Sequence, residues 1–129
     1  MKSTVDYNIK NLQIVRLYMN YNNKKFRPVS TSPNGDISEH TVFHYRQTGN
    51  LLTCEYYGEN IFKGHLIGWV DSDGNISMSY HQINRHGQIM TGICHSRPEN
   101  MNNGKIRLHE NWQWTSGDHS KGQSIIEEI

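Results

Sequence analysis

Alanine does not occur once in the 129 residues. Alanine is the strongest helix former, so its absence removes the usual filler of helices. Cysteine occurs twice and proline three times. Two cysteines, Cys54 and Cys94, are too few to be read as a disulfide framework. Both fall inside predicted strands, where a reduced cysteine behaves as a small buried hydrophobe. That suits a cytoplasmic protein, although one bridge between them stays open at this level. Charge of either sign is also scarce, with 13 Lys and Arg against 12 Asp and Glu. Such balance leaves no broad basic field to attract nucleic acid or an anionic membrane. The one basic cluster, Lys24, Lys25 and Arg27, reads as a solvated strand start. No apolar run approaches the roughly 20 residues of a membrane helix. Lys10, Gln13 and Arg16 interrupt the stretch that a secretory leader would need to keep apolar.

What the chain does have is sheet-forming material. Tyr, Trp, Ile, Thr and Val recur in short runs, and such side chains fit a pleated surface. Eleven glycines punctuate the runs. From Lys24 onward, strand-like runs and turn signals alternate at regular intervals. The runs are 25–31, 40–47, 51–57, 61–70, 76–84, 88–96, 105–115 and 122–129. The turns between them include Pro33-Asn34-Gly35, Gly58-Glu59-Asn60 and Asp71-Ser72-Asp73-Gly74-Asn75. Asn-Gly is the strongest short turn signal because both positions tolerate positive φ. Residues 97–104, with Pro98, read as a longer loop. Short connections make neighbouring strands antiparallel. The expected fold is therefore all-β, an antiparallel up-and-down barrel of about eight strands. A two-sheet sandwich has the same periodicity and stays as the alternative.

The expected division is an N-terminal extension over residues 1–22 and a barrel domain over 23–129. In the extension, Asp6 can cap a short helix that carries Ile9, Leu12, Val15 and Met19 at helical spacing. A helix this short is marginal in water, so a loose tail competes, as does an upstream extension with Met19 as the start. Removing residues 1–18 is expected to leave a folded domain.

Alternation assigns faces to three strands. In the seventh run, Ile106, Leu108, Glu110, Trp112 and Trp114 form the inward set. In the fifth, Ile76, Met78, Tyr80 and Gln82 do so. In the fourth, Phe62, Gly64, Leu66, Gly68 and Val70 oppose Lys63, His65, Ile67 and Trp69. Gly64 and Gly68 on one face let the sheet coil or leave space for a ligand. The second, third, sixth and last runs show no preference.

Glu110 stands out because it lies on an otherwise apolar face. A buried carboxylate costs several kcal/mol unless it is paired, hydrogen-bonded or protonated. It reads as an anchor for a cationic or hydroxyl-bearing ligand, or as a general acid with raised pKa. Equally, it could be tied to Tyr80, Gln82 or Arg46, or sit near the rim. Trp112 and Trp114, with Tyr45, Tyr56 and Tyr80, line either an aromatic pocket or ordinary core. The candidate ligand-binding residues are thus Tyr45, Tyr80, Gln82, Glu110, Trp112 and Trp114. The expected ligand is one small, partly aromatic or apolar molecule, and the oligomeric state is open.

Other chemistry finds less support. His40 and His44 would lie about 13 Å apart on a strand, too far to chelate one ion. His81 and His109 fall on outward faces, and His95 on a strand of unassigned orientation. Asp71–Asn75 opens like a calcium loop, but Ile76 stands at the sixth position and Gln82 at the twelfth, where Gly and Glu are needed. Neither cysteine has the local signature of a nucleophile. No cofactor and no metal site is expected.

The stretch from Phe43 to Ile129 resembles a family of small bacterial proteins. The resemblance is carried by Phe43-His44-Tyr45-Arg46-Gln47, Gly64-His65-Leu66-Ile67-Gly68, Tyr80-His81-Gln82 and, most specifically, Arg107 to Asp118, RLHENWQWTSGD. Ser124-Ile125-Ile126-Glu127-Glu128 follows. The resemblance starts near Lys24 and implies a calycin- or avidin-type barrel. It also brings the name N-acetylglutamate synthase, which members often carry, and with it acetyl transfer from coenzyme A. Such transfer usually holds a pyrophosphate on backbone N–H groups at a helix N-terminus. No strand–loop–helix unit of that kind is legible here.

Overall fold

Hairpin connections leave each strand little choice but to pair with the one before it. The computed structural model describes residues 19–129, and in it the meander closes on itself. Its eight strands are β1 (Lys25–Thr31), β2 (Val42–Thr48), β3 (Leu51–Gly58), β4 (Ile61–Val70), β5 (Ile76–Asn84), β6 (Ile89–Asn100), β7 (Ile106–Trp114) and β8 (Lys121–Glu128). Each pairs antiparallel with its neighbour and β8 returns to β1, so the sheet is a closed barrel. Closure gives every strand a partner on both sides. The β4–β5 turn is local chemistry: the Asp71 carboxylate accepts from the N–H groups of Asp73 and Asn75, both at 2.9 Å. Gly74 there takes φ +84°, which glycine adopts without strain.

Two local expectations are corrected. The segment after Ser96 is strand, not loop: Pro98 pairs with Leu108 and Asn100 with Ile106. The β5–β6 register ends at Ile76–Ser96, so Pro98 lies where no N–H is required on that side. Proline is tolerated in a strand under those conditions. On β4, Phe62 is 63 % exposed, while Ile61 is fully buried. The β4–β5 register slips between Ile61 and Lys63, and one slipped residue turns its side chain to the other face. Phe62 instead packs under the Arg85 guanidinium, 5.7 Å from its ring centre.

The seam between β1 and β2 is short, with Lys25 opposite His44 and Phe26 opposite Phe43. The chain then leaves the sheet and crosses the barrel end as a loop over residues 32–41 before β2. The opposite end is plugged by Tyr21, fully buried against Phe26 and Tyr45. Its hydroxyl donates to the Gly74 carbonyl at 2.6 Å. The expected extension, residues 1–22, therefore falls mostly outside the described residues, and its last members include this plug.

A candidate small-molecule site at the loop end of the barrel

Alternation along β7 turns Glu110 into the barrel between Leu108 and Trp112, all three buried. Across the β6–β7 ladder it faces Ser96, whose hydroxyl donates to Glu110 Oε2 at 3.0 Å. Burial pushes the Glu110 pKa up to about 7, against smaller opposing effects from the Ser96 hydroxyl and the Cys94 thiol. The partners expected from sequence were Tyr80, Gln82 or Arg46. Ser96 takes that role because β6 presents Gly92, Cys94 and Ser96 inward. Arg46 points to solvent.

A cavity of about 60 Å³ opens beside this carboxyl. All six candidate residues, Tyr45, Tyr80, Gln82, Glu110, Trp112 and Trp114, border it. The rings of Tyr80 and Trp114 meet edge to face with centres 5.6 Å apart, and Trp112 and Trp114 do so at 5.8 Å. Three rings lie flat because each faces a glycine on the next strand. Tyr56 lies over Gly64, Tyr80 over Gly92 and Trp112 over Gly122. A Cβ on any of these glycines would lie 2.2 Å from the nearest ring atom, far inside van der Waals contact. The room expected at Gly64 and Gly68 is thus occupied by protein: by Tyr56 at Gly64, and by Met78 and Ile76 beside Gly68.

Gly35, Asp36 and Ile37 of the β1–β2 loop roof the cavity. Sequence reading missed them, because Pro33-Asn34-Gly35 looked like a plain turn and nothing nearby signalled contact with the interior. Several bonds pin the roof. Gln82 Nε2 donates to Asp36 Oδ2 at 3.2 Å, while Gln82 Oε1 accepts from the Tyr56 hydroxyl at 2.9 Å. Trp114 Nε1 donates to the Asn34 carbonyl at 3.0 Å. The Asn34 amide reaches Ser120 Oγ at 2.8 Å and the Lys121 carbonyl at 3.0 Å. Trp112 Nε1 donates to Ser124 Oγ at 2.9 Å.

No Lys, Arg or His borders the cavity. Burial raises the pKa of Tyr45, Tyr56, Tyr80 and Cys94, and pushes the Cys54 thiol up to about 12. These groups stay neutral at pH 7, and Glu110 sits at the edge of titration among them. Both cysteines are free, which closes the question of a bridge.

Elsewhere the histidines face outward. His95 Nδ1 lies 3.3 Å from Ser77 Oγ, and His109 Nε2 lies 2.6 Å from Glu99 Oε1. Among the described residues, no three His, Cys, Asp or Glu side chains converge as a metal site. A wider concavity of about 550 Å³ lies on the outside of β2, β3 and β4, floored by His44, Arg46, Glu55 and His65. Tyr57 on its wall is exposed, and its one carboxylate, Glu55, is exposed as well.

A closed antiparallel barrel with a polar-aromatic cavity at one end is the architecture of small ligand-holding barrels. The chain belongs to the avidin-like family: the family model described as "Avidin-like protein" matches residues 19–129. No curated protein and no solved structure matches the chain. The match carries the barrel class and gives no support to the name N-acetylglutamate synthase.

Proposed function

We propose that this protein binds one small molecule in the cavity at the loop end of the barrel. One observation supports this reading above the others: a buried carboxyl, Glu110, borders an open cavity whose remaining walls are mostly aromatic and apolar. Ligand sites combine large apolar contact with a few placed polar groups. Tyr80, Trp112 and Trp114 supply the contact area, Glu110 and Gln82 orient the polar end, and Tyr45 bounds the interior side. The cavity is well short of the about 150 Å³ that admits a benzene ring. A ligand with a ring therefore places its head inside and its body against the roof, with Gly35–Ile37 displaced.

Acetyl transfer is a poorer reading. Among the described residues there is no helix, hence no helix N-terminus to hold a coenzyme A pyrophosphate. Native mass spectrometry of protein purified from its own host, together with a thermal-shift screen of small molecules, tests the binding reading. The expected result is a bound species, or a stabilising compound, that shifts the indole N–H signals of Trp112 and Trp114 in NMR spectra. Hits that leave those signals unmoved, or no hits at all, overturn the proposal.

A further inference from the structure

We infer that the head group received beside Glu110 is a compact organic cation, a guanidinium, amidinium or protonated amine; this rests on the binding site proposed above. The cavity wall has few free donors left to offer a ligand. Most of its fixed donors are already committed to protein acceptors. Trp112 Nε1 serves Ser124, Trp114 Nε1 serves the Asn34 carbonyl, and Gln82 Nε2 places one of its two hydrogens on Asp36. Tyr56 gives its proton to Gln82. The hydroxyls of Tyr45 and Tyr80 serve as donor or acceptor. What remains is negative in character: the carboxyls of Glu110 and Asp36 and the faces of aromatic rings. Cations are attracted to such faces within about 6 Å of the ring centre. A carboxylate or phosphate would meet two acidic groups and no cationic side chain, at the cost of burying an unpaired charge.

The groups facing Glu110 are Tyr45 on β2, Cys54 and Tyr56 on β3, Tyr80 on β5 and Cys94 on β6. Leu66 of β4 and Ser124 of β8 complete the wall without charge, and Asp36 adds a second carboxyl from the roof. No neighbour supplies a positive charge to pair the ionised carboxyl, and a cationic ligand does. Arrival of a cation stabilises the ionised carboxyl, and the Glu110 proton passes to solvent. Affinity therefore rises with pH until Glu110 is already ionised in the empty site.

The test compares benzylguanidine with its neutral isostere benzylurea. Binding to the full chain is measured by tryptophan fluorescence and NMR at pH 6 and pH 8. Benzylguanidine is expected to bind at least tenfold more tightly at pH 8. It should weaken by about tenfold at pH 6, as expected for a group titrating near 7. Glu110→Gln should erase the pH dependence and most of the preference. Asp36→Asn, on the half-buried roof, should reduce the preference and keep the pH dependence. Benzylurea binding as tightly as benzylguanidine overturns the cation while leaving the site standing. If neither probe moves the Trp112 and Trp114 signals, and the screen above also finds nothing, the site itself falls.

Discussion

The two ends of this barrel solve the same problem in opposite ways. At the Tyr21 end the interior is filled with Phe26, Leu52, Val70, Ile76, Ile106, Leu108 and Ile126, all buried. The one polar group of the plug, the Tyr21 hydroxyl, is fixed on a backbone carbonyl. At the loop end the interior holds Glu110, Gln82 and Tyr80 among tryptophans, under a roof hung on hydrogen bonds. Dense apolar packing is the main source of stability, and polar groups at an interior cost it unless satisfied. The first end can therefore carry a second that is poorly optimised for folding but suited to holding a ligand. Departures of this kind from the folding optimum are common at functional sites.

Four substitutions would sharpen or break that contrast. The largest effect is expected at the packed end. Phe26→Ala removes a fully buried ring whose centre lies 5.0 Å from that of Tyr45, and should cost about 3–5 kcal/mol in urea unfolding. A loss under 1 kcal/mol would mean that the stability does not reside there. Next comes Glu110→Gln, with the opposite sign. Below its ordinary value of 4.5 the carboxyl is protonated in both folded and unfolded chains, and its burial carries no ionisation cost. As pH rises from there toward about 7, only the folded chain keeps the proton, so stability falls and the loss is complete above that range. The glutamine variant should thus gain roughly 3 kcal/mol at pH 8 and almost nothing at pH 4. Thermal melts across that range read this directly, and a variant less stable than the parent at pH 8 would show a carboxylate well solvated in place.

Gly92→Ala comes third. The new methyl would lie 2.2 Å from Tyr80 Cζ and its hydroxyl oxygen, so the ring must leave its seat, at a cost of about 1–3 kcal/mol. The altered aromatic environment should be visible in the near-ultraviolet circular dichroism. The smallest effect is expected for Tyr56→Phe, which deletes the donor to Gln82. It should cost about 1 kcal/mol and loosen the roof, seen as faster amide exchange over residues 34–37. Unchanged exchange would separate the roof from the Gln82 relay.

Much of the barrel was written into the chain as rhythm. The turn at Asp71–Asn75 forms from its own side chains, and the strands on either side alternate because each buries one face. That was enough to place Glu110, Trp112 and Trp114 inside with Leu108, and Tyr80 and Gln82 with Met78. Tyr45 was reached through its aromatic character, since β2 gave no contrast between its faces. Where contrast was missing, only closure of the barrel could decide. On β6, the inward Gly92, Cys94 and Ser96 are small and weakly apolar, while outward Ile93 is the greasier residue. The partner of Glu110 was hidden for that reason. Phe62 went outward because a register slip, invisible to a two-residue period, intervened after Ile61. Asp36 entered the site only because the loop over residues 32–41 crosses the barrel end. Local side-chain spacing thus determines strands, turns and clear faces, because those depend on near neighbours in sequence. The roof, the ring-on-glycine pairs and the Ser96–Glu110 bond join residues from different strands or loops, and only the closed sheet brings them together.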